Sequence, residues 1–126
     1  MSRIATSYLA LAALYLIVGL TMGIGMGMAH EFRFAPVHGH INLIGWTTHG
    51  LMGLAYRQWP EMAKGNLAAS QFLIFALSAP IFMAGLVLSI GYEQPIVAIA
   101  GSVGVFLGAL LFALIAARVW LGDKGV

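Results

Sequence analysis

The chain has 126 residues, 61% hydrophobic and 8% charged, with a mean hydropathy of +0.95 and a formal net charge of +2. Soluble domains carry about a quarter charged residues, so this composition excludes one and indicates an integral membrane protein. The chain has no cysteine, which excludes a disulfide framework, an iron–sulfur cluster and a thiolate zinc site. The pI near 9.3 comes from few charges, and no basic patch with interleaved aromatics is present, which excludes nucleic-acid binding.

Charges fall at Arg3, Glu31, Arg33, Arg57, Glu61, Lys64, Glu93, Arg118, Asp123 and Lys124, leaving four long charge-free intervals. Each holds a helix of about 20 residues, the length a hydrocarbon core requires. The expected fold is therefore all-α, one domain over residues 1–126, with four transmembrane helices. The first runs from about Thr6 to Met28, too long for the apolar region of a signal peptide. Its Gly19, Gly23 and Gly27 recur at spacing four and let another helix approach closely, whereas Met22, Met26 and Met28 read as lipid or core contacts.

After the polar and aromatic connection His30 to Pro36, the second helix spans about Val37 to Arg57, and Tyr56, Arg57 and Trp59 are expected to anchor its end at the interface. The third covers about Leu67 to Ile90, bent at Pro80 where Ser78 or a neighbouring helix serves the freed carbonyl. The fourth runs from Pro95 to about Trp120, with Gly101, Gly104 and Gly108 for close packing. Four spans put both termini on one side. Arg3, Arg57, Lys64, Arg118 and Lys124 share that side and only Arg33 lies on the other, so the termini are expected in the cytoplasm, and the protein in a bacterial-type inner membrane.

The second helix holds three of the four histidines, and ionisable groups inside a span are costly and mark function. Residues two apart on an α-helix point about 200° apart, so His38 and His40 serve two different neighbours if the helix is regular. His49 falls within about 20° of the face of His38 but roughly 16 Å further along the axis, too far to share one ion. A six-coordinate haem takes two axial ligands from opposite sides, and this helix supplies one of them per haem. His30, or a histidine of another subunit, would supply the other, and Arg33 stands where a propionate wants a charge-assisted partner. Interfacial histidines that only hydrogen-bond to loop carbonyls remain an alternative for His38 and His40, as does a hydrogen bond across helices for His49.

The segment Arg33 to Pro60, with His38-Gly39-His40-Ile41-Asn42, Gly45-Trp46, Gly50, Gly53 and Tyr56, resembles the second transmembrane helix of subunit I in haem-copper oxidases and nitric oxide reductases. There a histidine followed two residues later by Asn ligates the low-spin haem b, and His40 with Asn42 matches that pattern. His38-Gly39-His40 is also similar to a His-x-His of a later helix in that family, which holds two haems. The resemblance covers about 30 residues and implies haem b as cofactor, held by His38 and His40 with Arg33, Asn42 and Trp46 around it; His30 and His49 are weaker candidates. The three further histidines that hold copper in the family have no counterpart here, so the resemblance does not carry over oxygen reduction.

Family members have twelve spans in three four-helix arcs, and this chain has four. A homotrimer is therefore expected, with His40 of one subunit and His38 of the next on each haem, serving electron transfer to a respiratory-chain partner or binding of a diatomic gas. Two other classes stay open: a non-haem zinc or copper protein using His30, Glu31, His38 and His40, and a cofactor-free accessory subunit of a respiratory complex.

Overall fold

Ser2 starts the first helix by accepting a hydrogen bond from the backbone N–H of Ala5 at 3.1 Å, which satisfies one of the donors that a helix N-terminus leaves open. Helix α1 then runs over Arg3–Ala29, earlier in its start than the apolar run alone predicts, because this cap extends it. It closes at His30, whose φ of 51° is left-handed, and the N–H groups of His30 and Glu31 return to the carbonyls of Gly27 and Met26. The computed structural model describes residues 2–123; Lys124, counted above on the terminal side, lies outside them.

The second rod is composite. It comprises α2 (Ala35–His40), a π-helical segment (Ile41–Thr48) and α3 (His49–Gln58), in one unbroken run. A regular helix over Val37 to Arg57 was the expectation, and the π segment departs from it. Thr48 Oγ1 and His49 Nδ1 each donate at 2.8 Å to a carbonyl five residues back, those of Leu43 and Ile44. That is the spacing of a π-turn, and such segments concentrate at functional sites. The angular arithmetic holds between His38 and His40, inside α2, and fails beyond it.

A short 3₁₀ turn, Pro60–Ala63, and Gly65 with φ of 84° lead into α4 (Asn66–Tyr92). Pro80 lies within α4, and Ser78 packs onto Gly104 of the next helix. Glu93, with φ of 56°, ends α4 as its N–H bonds back to Ser89, and α5 (Ile96–Asp123) follows at once. The chain is thus all-α, with four helical rods, of which α1, α4 and α5 are long and apolar enough to cross a membrane.

Helix α1 lies along the composite rod, and α4 lies along α5. Small residues bring the backbones close, since helices in lipid gain contact where side chains are absent. Gly85 meets the backbone of Ala98, and a Cβ on Gly101 would stand 2.5 Å from the backbone of Phe82. Gly19 and Gly23 face Asn42 and His38 of the same chain, whereas Gly27 faces open space. Only two of the three spaced glycines in α1 therefore serve internal packing.

Two apolar clusters form the core. One, near the termini, gathers Ala5, Tyr8, Met52, Tyr56, Phe75 and Ile115; the other, towards the far end, gathers Val37, Ile41, Ala79 and Met83. Tyr56 is no interfacial anchor: it is fully buried, and its hydroxyl donates to Gln71 Oε1 at 2.9 Å. Burying a hydroxyl in an apolar bundle requires such a partner, and Gln71 provides it.

Candidate functional site

His40 ends α2, and its Nδ1 lies 2.7 Å from the carbonyl of Pro36, one turn back. A carbonyl only accepts, so this bond places the proton on Nδ1 and leaves Nε2 as a lone pair. Metal-ligating histidines are oriented in this way, with the far nitrogen fixed by a carbonyl. The ring is half-buried and meets Phe82 of α4 edge to face, 5.2 Å between centroids.

His38 leaves the same helix on another side. Its ring packs over Gly23 of α1, where a Cβ would stand 2.9 Å from Cε1. The Asn42 amide Nδ2 lies 3.1 Å from Nε2 and donates to it, so the proton of His38 sits on Nδ1, which is buried and has no hydrogen-bond partner. The two imidazoles thus meet different helices, α1 and α4, as their spacing requires. Asn42 is the residue that holds His38.

Arg33 does not point at an open site. Its guanidinium donates to the carbonyls of Ile90 (3.1 Å) and Gly91 (3.4 Å) at the end of α4, over the ring of Phe34, and its backbone N–H donates to Glu31 Oε1 at 2.9 Å. A cation at a helix C-terminus satisfies carbonyls that have no intrahelical donor. Trp46 is 40% exposed and shares an outward groove with Leu51 and Leu54. His30 is exposed at the left-handed end of α1. Among the described residues no three His, Asp or Glu side chains come together to hold a metal ion.

The deepest histidine is His49, which is fully buried. Its Nδ1 donates to Ile44, and its Nε2 has no hydrogen-bond partner. Three aromatic rings surround it, those of Tyr8 at 5.5 Å, Tyr15 at 5.1 Å and Phe75 at 5.0 Å between centroids. The alternative of a hydrogen bond across helices is not the one it adopts: the bond it makes stays within its own rod.

Next to this shell, Tyr8 and Tyr56 donate to Gln71 Oε1, and Gln71 Nε2 donates to the carbonyl of Gly108 at 3.1 Å. One amide therefore ties together all four rods. Sequence reasoning passed over Gln71, Tyr8 and Tyr15. The signal was available in Gln71, a lone amide in an otherwise apolar span.

Comparisons with protein-family models, with curated proteins and with solved structures find no match for this chain.

Proposed function

We propose that this chain is a multi-pass membrane protein that binds haem b through His40, of the type represented by oxidase subunit I, and that it serves electron transfer. The observation that carries the reading is the His40 Nδ1 bond to the Pro36 carbonyl, which presents a basic Nε2 at the far end of the bundle. The resemblance of Arg33 to Pro60 adds support, and the composite rod from Ala35 to Gln58 would be the fourth span. The termini would then lie in the cytoplasm and the protein in a bacterial inner membrane.

The divergence of His38 and His40 bears on assembly. Both rings meet helices of their own chain, α1 for His38 and α4 for His40, so a second axial nitrogen would have to come from another copy, and three copies would reproduce a twelve-span layout. His38 is the nitrogen donor in that arrangement, and it must release the Asn42 amide to serve. Haem iron would supply one-electron transfer when bound, and the chain would supply the anchored His40 imidazole and an apolar surround; Arg33 is held instead on the Ile90 and Gly91 carbonyls.

The Asn42 bond to His38 favours a second reading, in which His40 is the sole axial ligand and the open position takes a diatomic gas. A pyridine haemochrome assay on the purified full chain tests the first claim, with one haem per chain expected and none in His40→Ala. Colourless protein, or a His40→Ala variant that keeps its haem, would overturn it. Carbon monoxide separates the two readings, since only an open iron shifts its spectrum.

A further inference from the structure

Where the composite rod and α5 end, the chain leaves a cavity of about 520 Å³ lined by Trp59, Glu61, Arg118, Val119 and Gly122. A smaller cleft of about 90 Å³ adjoins it, sharing Glu61, Arg118 and Val119 and adding Lys64. Among the described residues no ion pair joins Glu61 to either cation. Two cations and one carboxylate therefore line one recess. It stands at the end of the bundle where Trp59 and Trp120 are 41% and 57% exposed, as indoles are at a lipid–water boundary.

A ligand that matches this recess carries both signs, because an anion alone would face the Glu61 carboxylate and a cation alone would face Arg118 and Lys64. The surface beside it calls for an apolar tail. From Arg118 towards the middle of α5, Leu114, Leu110 and Leu107 follow at helical spacing, and all three are exposed. That track is about 16 Å long, comparable to the depth of one bilayer leaflet. We propose that the recess binds the headgroup of phosphatidylethanolamine, a zwitterionic lipid with a primary ammonium, and that one acyl chain lies on the leucine track. The phosphodiester accepts from the Arg118 guanidinium and the Lys64 ammonium, while the lipid's own ammonium donates to Glu61 beside the Trp59 indole. A trimethylated headgroup has no N–H to give Glu61, and an anionic headgroup brings no cation to it. The site lies at the opposite end of the bundle from His40 and rests on the membrane setting alone, not on haem.

The test is native mass spectrometry of the purified full-length protein in non-ionic detergent, equilibrated with the dioleoyl forms of phosphatidylethanolamine, phosphatidylcholine and phosphatidylglycerol. The ethanolamine lipid should bind about fivefold more tightly than either, the effect of one exposed charge-assisted pair. In Glu61→Gln that preference should vanish, and the glycerol lipid should bind more tightly than before. In Arg118→Gln all three lipids should weaken. Both side chains are exposed, so neither change disturbs the fold, and the order of preference in the unmutated protein needs no variant. Glycerophosphoethanolamine, the same headgroup without chains, should fail to displace the lipid at equal concentration. Equal affinities for the ethanolamine and choline lipids, tightest binding of the glycerol lipid to the unmutated protein, a preference unchanged in Glu61→Gln, or displacement by the chainless headgroup would each overturn the proposal.

Discussion

Tyr8 and Tyr56 stack nearly parallel, 10° apart with centroids at 5.8 Å, and their hydroxyls end on the same oxygen, Oε1 of Gln71. Two rods thereby converge on one amide of a third, and the amide's own N–H reaches Gly108 in the fourth. An acceptor oxygen has two lone pairs, and both are used here.

Gln71→Leu removes that acceptor and leaves two buried hydroxyls and a carbonyl without partners. The expected loss is about 2–4 kcal/mol, from two or three buried bonds at about 1 kcal/mol each with a surcharge for stranded groups. Reversible unfolding in mixed micelles measures it. A change below about 0.5 kcal/mol would mean that the hub contributes little beyond packing.

The glycines divide into those that carry packing and those that do not, Gly27 among the latter. Gly101→Leu pushes against the Phe82 backbone, which cannot move aside as a side chain tip can, and should separate α4 from α5. Gly27→Leu meets open space and should be neutral in the same unfolding assay. Equal effects of the two would contradict the helix pairing described.

Gly45 is where Tyr15 rests. A Cβ there would stand 2.6 Å from Tyr15 Cγ, so Gly45→Ala should displace the ring from the shell of His49. The near-ultraviolet circular dichroism of the aromatic cluster should weaken while helix content stays constant. An unaltered aromatic signal would show that the ring accommodates the methyl group in place.

Arg33→Gln should loosen the end of α4. The guanidinium serves the carbonyls of Ile90 and Gly91, and the N–H groups of Glu93 and Gln94 close the helix just beyond. Their amide exchange should quicken several-fold while that of Phe75 does not change, because such openings are local. Uniform acceleration along α4 would instead indicate loss of global stability.

Much of the architecture is legible in composition: charge-free intervals predict the helices, and the ends shift by a few residues in every rod, with Ser2, His30 and Glu93 as caps at three of them. The divergence of His38 and His40 is also legible, because it depends on rotation per residue within α2. The rest is not. Helices α1, α4 and α5 are apolar on every side, so no amphipathic stripe in the sequence says which face turns inward.

What the sequence determined by itself is therefore local: the membrane class, the rods and the angle between two imidazoles. Only the tertiary structure decided that Gln71 joins four rods, that Arg33 closes α4, and that His49 is buried among Tyr8, Tyr15 and Phe75. Those contacts join residues far apart in the chain. They arise from which small residues let two backbones approach, and from where a buried polar group finds a partner, and neither leaves a periodic trace in an apolar span.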